Sequence, residues 1–361
     1  MVKLTTRFFW RIVILLSIPI QFGIIQLLKA NPSWVQFNYT EGFYNSYFKI
    51  LNAVFGLFPF SLGDLIYILL TLLILRFIIR LIRKKIKLGW PVVFKILGFA
   101  SMVYFLFHLS WGINYYKYPM HQQLKIENDY STQQLINFTE ELIQNTNAIH
   151  SSITSDTLAV TFDKPISDYK KMVFEEFKNI SFTSNTINRQ NIKGSLISLP
   201  LSYMGFGGYL NPFTLEAQYN YKVPAYKYPT LLAHEMGHQL GYAKENEANF
   251  IACFVNMNSE NPKLKYAGFS YALRFCLNEI YRRSPQEFER LKQDVNPGIL
   301  KNFAEIQEFW NSYENPFEPL FKSFYSNFLK VNNQPEGIKS YSYVVALLVN
   351  YYSQNSLPSS N

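Results

Sequence analysis

The chain has 361 residues and a net charge of +9, yet only 16% of its residues are charged and 17% are aromatic. A soluble domain usually carries about 25% charged residues, so the composition argues against a wholly water-exposed chain and for a part that lives in lipid. Residues 1–116 hold 12 Lys+Arg against 2 acids (net +10) and the remainder 22 against 23 (net −1), so the positive charge gives no footprint for a nucleic-acid partner.

Three apolar runs of about 20 residues come first: 8–28, 62–82 and 92–113. Each is long enough to cross a bilayer as a helix. The first has no small-residue cleavage site after it and reads as a retained anchor. Lys3, Arg7 and Arg11 open it, and Arg80, Arg83, Lys84, Lys85 and Lys87 fill the link between the second and third runs. The link between the first two has only Lys29 and Lys49. Positive residues stay inside, so the N-terminus is expected in the cytoplasm and everything after about residue 115 in the periplasm, as a multi-pass inner-membrane protein. Within the outer link, 43–60 reads as a short aromatic helix on the membrane surface. Trp90, Trp111, Tyr115 and Tyr116 read as aromatic anchors at the interfaces.

The expected domains are a membrane anchor over 1–114, one helical and mixed domain over 115–352, and a disordered tail over 353–361. Ser131 can cap a helix whose buried stripe is Leu135, Phe138, Leu142 and Ile149. A second helix is predicted over 169–178, a strand over 193–199, and a glycine-rich loop over 203–212. Phe213 to Tyr221 is predicted as a further strand just before the most informative motif, in the place where an edge strand could pair with an extended substrate.

That motif is His234-Glu235-Met236-Gly237-His238, the H-E-x-x-H pattern of zinc hydrolases. Positions i and i+4 share one helix face, so both imidazoles can reach one metal ion. Glu235 is the candidate general base for a metal-bound water. A histidine-completed site would need histidine six residues after His238, where this chain has Lys244. Gly241 can turn the chain and bring Glu245 back as the third ligand, with Glu247 as the alternative. Glu245 and Asn249 are an i, i+4 pair that resembles the third-ligand signature of gluzincin families, in which the second residue supports a ligand histidine from behind.

After the motif, helices are predicted over 245–255, 266–283, 285–294, 299–311 and 316–330. The run Tyr341 to Tyr352 is too short for a fourth span and reads as a core helix. Cys253 and Cys276 could pair in an oxidising exterior, but both lie in apolar helical stretches where buried free thiols are common. Tyr209, Tyr242, Tyr271 and Tyr281 are open candidates to assist an oxyanion.

Longer blocks carry a family resemblance. They are Pro59-Phe60-Ser61-Leu62-Gly63, Trp111-Gly112-Ile113-Asn114-Tyr115, Asn211-Pro212-Phe213-Thr214 with Glu216-Ala217, and His234-Glu235 with His238 through Phe250. In these the chain resembles a family of three-span Bacteroidetes membrane proteins of unknown function with a zinc-peptidase-like domain. The expected fold is α+β and mostly helical: three transmembrane helices, then a zincin-like metallopeptidase domain with a small sheet and an active-site helix. The expected activity is membrane-anchored, zinc-dependent hydrolysis of peptide bonds outside the cytoplasm. One Zn2+ per chain, a peptide or protein substrate and the lipid bilayer are the expected partners. A zinc-stabilised scaffold without turnover, or a zinc hydrolase of a cell-wall or other non-peptide amide, are the competing expectations. The motif lies among Lys227, Lys244, Glu245 and Glu247, which argues against an intramembrane protease.

Overall fold

The computed structural model describes residues 2–334 and 343–359. It is mostly helical, with one small sheet. Helix α1 covers Val2–Lys29, α4 covers Leu62–Ile82 and α5 covers Trp90–Ser110. Each holds a stretch long and apolar enough to cross a membrane: Arg11–Lys29, Leu62–Ile82 and Trp90–Ser110. The α1 and α5 helices pack together, where Ser17 and Gln21 both bond the Ser101 hydroxyl at 2.8 Å. By contrast, α4 buries only Gly63 and Asp64, at its first turn.

The outer link is more built than expected. Helix α2 (Pro32–Trp34) runs into π-helical turns over Val35–Tyr44 and then α3 (Asn45–Phe55). Its Tyr39, Tyr44 and Phe48 are buried, and Tyr44 donates to the Gln239 carbonyl at 3.1 Å. One side of the expected surface helix is thus covered by protein, while Phe43, Ile50, Val54, Leu57, Phe58 and Phe60 stay exposed on the other. The short helices at 112–116 and α6 (Met120–Leu124) follow. Trp111, Tyr115 and Tyr116 are buried too, so three of the four expected interface anchors are core residues; Trp90 is exposed.

Helix α7 (Thr132–Ile153) begins at Ser131, with Gln134 closing a capping box that satisfies two free amides. Helix α8 covers Ile166–Glu176. The sheet is shorter than the sequence suggests. Strand β1 is Ile192–Gly194, after which the chain turns into helix α9 (Ser198–Met204) instead of staying extended to 199. The hydroxyls of Ser198 and Ser202 bond carbonyls three and four residues back, so their polar atoms are satisfied inside the helical turn. Strand β2 (Gly208–Leu210) arises inside the glycine-rich stretch expected as loop, and β3 is Ala217–Tyr219. The order is β1-β3-β2, with β1 parallel and β2 antiparallel to β3. The strand before the motif is therefore central, and the edges belong to β1 and β2.

Helices α10 (Tyr228–Gln239), α11 (Glu245–Met257) and α12 (Pro262–Arg283) form the core of the domain, with α7 packed on α12. Pro262 at the start of α12 and Asn261 as its cap fix where it begins. Helices α13 (Pro285–Gln293), α14 (Pro297–Asn311), α15 (Glu318–Val331) and α16 (Tyr343–Gln354) complete the domain. Seven consecutive residues of α16, from Val344 to Asn350, are buried. Tyr341 and Ser342 of its expected range lie outside the described residues, as do residues 360–361 of the expected disordered tail. The described part of that tail starts as the last turn of α16, and the Ser359 carbonyl accepts from Lys265. Cys253 and Cys276 are free and buried.

A buried ion pair joins the sheet to the second span. Glu216 bonds Lys193 Nζ at 2.5 Å and accepts from the first-turn amides of α4, Leu62 (3.3 Å) and Gly63 (2.7 Å). Lys193 also donates to the Phe55 and Phe60 carbonyls. A carboxylate at a helix N-terminus answers both the free amides and the dipole. Glu216→Ala should leave Lys193 buried without its counter-charge and destabilise the protein by about 3–5 kcal/mol, read as a lower melting temperature in detergent. An unchanged melt would refute this account.

Candidate metal centre

Helix α10 places His234 and His238 on one face, their rings 4.8 Å apart between centroids. Each ring is oriented from behind. His234 Nδ1 bonds Asn249 Oδ1 at 2.9 Å, and His238 Nδ1 bonds the Tyr242 carbonyl at 2.6 Å. Both partners are oxygens that only accept, so each Nδ1 carries the proton and each Nε2 presents a lone pair. Asn249 Oδ1 also accepts from the Tyr271 hydroxyl at 2.8 Å, which holds the amide in place. The helix stops because Gly241 takes φ +84°, a left-handed conformation that other residues adopt only with strain.

That turn brings Glu245 at the start of α11 onto the two imidazoles. Its carboxylate lies 3.3 Å from His234 Nε2 and 3.7 Å from His238 Nε2. The three residues offer one ligand atom each within 4.8 Å of one another. Two ligands about 2 Å from one tetrahedral ion would stand about 3.3 Å apart, so the spacing suits a metal. The donor set also suits one: two imidazole lone pairs and a carboxylate converge and call for a positive charge between them. The three groups are electrostatically coupled. Burial opposes charge on His234, yet the adjoining Glu245 carboxylate raises its pKa. Burial draws His238 down to about 4. Burial would raise Glu245 as well, but His234, His238 and Tyr325 outweigh it and hold the carboxyl down at about 2.

Glu247, the alternative ligand, points elsewhere. Its carboxylate accepts from the Met120 amide at 2.9 Å and faces Lys244. Asn249 occupies the place expected for it, behind His234.

Glu235 is buried beside the cluster, and its Oε2 has no hydrogen-bond partner among the described residues. Burial pushes its carboxyl up to about 8. The edge strand passes directly over it: a Cβ at Gly208 would sit 2.5 Å from Glu235 Oε1, so only glycine allows this approach. The next residue, Tyr209, donates its hydroxyl to Asp64 in the first turn of α4. Asp64 also accepts from the Leu196 amide at 2.7 Å, so the second span holds both the edge strand and the loop before α9.

His234, Glu235, His238 and Glu245 line a cavity of about 990 Å³. Of the four tyrosines singled out in the sequence, Tyr209 and Tyr271 line it, and both hydroxyls are engaged as described. The Tyr242 ring packs under Lys117 Nζ at 3.5 Å, and Tyr281 is exposed; neither is a lining residue. Three further lining residues escaped the sequence reading. Tyr325 on α15 donates to Glu245 Oε1 at 2.6 Å. Trp111 sets its ring edge-on to His238, 6.0 Å between centroids. Lys227 lies 3.6 Å over the Tyr271 ring, and burial lowers its ammonium pKa to about 7. Tyr325 stands 80 residues from its partner among 26 tyrosines, with no local spacing to mark it. The aromatic cluster around Trp111 was a signal, read as an interface.

Three candidate membrane spans join a helical domain built around a largely buried His-His-Glu cluster, a candidate metal centre. The chain belongs to the DUF3810 family, a protein family of unknown function whose model matches residues 39–349. The match takes in the second and third spans, the sheet and every residue of the cluster. No curated protein and no solved structure matches the chain.

Proposed function

We propose that this protein is a membrane-anchored, zinc-dependent peptidase. The observation that carries the reading is Glu235: an unpaired, buried carboxylate at the side of a three-donor cluster, under an edge strand. A purely structural metal site needs no such base and closes its fourth position with protein. His234, His238 and Glu245 would hold the metal, with Asn249, the Tyr242 carbonyl and Tyr325 orienting them. A zinc ion bound there would polarise the scissile carbonyl and acidify water. Glu235 would take the proton from that water and return it to the leaving amine, a role its place beside the three donors allows. The open edge of β2, which no described strand covers, can pair with an extended chain and set its carbonyl over Glu235.

The distribution of basic residues orients the spans with the N-terminus inside and the catalytic domain outside the cytoplasm. A reporter fused after Asn114 should read extracytoplasmic, and a cytoplasmic signal would reverse the topology.

The support behind His234 is testable by itself. Asn249→Ala should weaken zinc affinity about 10–100-fold through a misaligned ring, measured by competition with a chelating dye. Wild-type affinity in this variant would remove Asn249 from the site. The function itself is tested on purified full-length protein in detergent or nanodiscs, by metal content and by cleavage of a peptide library. Zinc at one per chain with no hydrolysis sensitive to Glu235 would sink the peptidase.

A further inference from the structure

The cavity over the metal centre does not open only to water. It continues down between the spans, where Phe22 and Ile25 of α1, Tyr67 of α4, and Ala100, Val103 and Phe107 of α5 line it. Lys29, Leu62 and Ser110 end the spans on the side of the catalytic domain. From Ser110 down to Ala100 the cavity therefore descends about 15 Å, at 1.5 Å per helical residue. That is one leaflet of a hydrocarbon core about 30 Å thick. On the α4 side the furrow has no tight helix seam, because beyond Asp64 no residue of α4 is buried. The mouth is lipid-compatible as well. Helices α9 and α15 turn Leu201 and Tyr325 toward the cavity and leave Leu199, Tyr203, Leu320 and Phe324 exposed, Phe324 at 76%. Phe328 of α15 packs edge-on against Phe107 of α5, 5.9 Å between centroids, so this amphipathic helix rests at the head of a span. An exposed apolar face in that place is solvated by the bilayer interface.

We infer that the substrate is a lipid-anchored polypeptide whose acyl chain lies in this furrow, within the leaflet on the catalytic side, while the amide beside its anchor reaches Glu235. The depth favours an acyl chain over a transmembrane helix. A spanning helix needs lining through both leaflets, and the lining stops at Phe22 and Ala100. The inference rests on the hydrolase reading for the bond that is cut; the occupant of the furrow does not depend on it.

The test uses full-length protein in nanodiscs, with paired peptides of one sequence, with and without an N-terminal palmitoyl chain. A further acylated peptide carries a diazirine at the end of its chain, and a transmembrane peptide carries one in its helix. The acylated peptide should be cleaved at least about tenfold more efficiently, since each buried methylene adds to binding. Val103→Trp should cut that preference about tenfold by filling the furrow. The diazirine should label α1 near Phe22 or α5 near Val103 in the wild type, a readout that stands even if the variant misfolds. Equal cleavage of both peptides, or labelling confined to residues beyond 115, would overturn the inference. Labelling by a transmembrane peptide along the inner halves of α1 and α5 would overturn it in favour of a spanning substrate. Furrow labelling with no cleavage of either peptide would keep the acyl site and remove the peptidase.

Discussion

Glu235→Gln should keep one zinc per chain and lose peptide hydrolysis by about 10²–10⁴-fold, the range that a positioned acid–base group contributes. Glutamine has the shape of glutamate, so Gly208 still clears it and the helix still packs. It cannot take a proton at neutral pH, and that is the only change the chemistry meets. Metal content by mass spectrometry and initial rates on the best library peptide would be read side by side. Full activity in Glu235→Gln would mean that some other group takes the proton. Zinc lost together with activity would mean that Glu235 is a ligand.

The second large effect separates two acids that lie two residues apart. Glu245→Ala should lose zinc by well over 100-fold, beyond what removing a mere supporting residue costs. It takes away the carboxylate that sits on the two imidazoles and the bond that Tyr325 donates to it. Glu247→Ala should retain zinc and cost stability instead, because it frees the buried Met120 amide. Equilibrium dialysis against zinc, with a thermal melt of each metal-free variant, reads the two effects independently. If Glu247→Ala alone released the metal, the assignment of the third ligand would be reversed.

What the sequence made legible follows from how local each constraint is. The three spans are composition over a known length, and the two histidines are a helical spacing. Glu245 became readable because Gly241 permits a turn that other residues resist, after which few donors remain within reach. Ser131 announced its helix through a capping hydroxyl ahead of an apolar stripe. The misreadings have physical reasons. Trp111, Tyr115 and Tyr116 have the amphipathic rings of interface anchors, and those rings fill a core equally well when a domain sits directly above. The stretch at 193–199 alternates like a strand, but the serines of α9 find helical carbonyl partners. Strand β2 is invisible in Gly207-Gly208-Tyr209, because Gly208 serves the approach to Glu235 and not the propensity of the strand. Tyr325 and Asp64 join the site only through tertiary contacts, 80 residues from Glu245 and 145 from Tyr209 respectively, and no local pattern reports them.

The bonds among Glu216, Lys193 and the first turn of α4 have one more consequence. Together with Asp64 and Tyr209 they bolt the sheet to the head of a membrane helix, and Gly208 of that sheet lies on Glu235. In the proposed peptidase, Glu235 would consequently stand at a set height above the hydrocarbon. A polypeptide that reached it would be measured from the bilayer surface, and the position of the cut would be set by distance from the membrane as much as by the residues on either side.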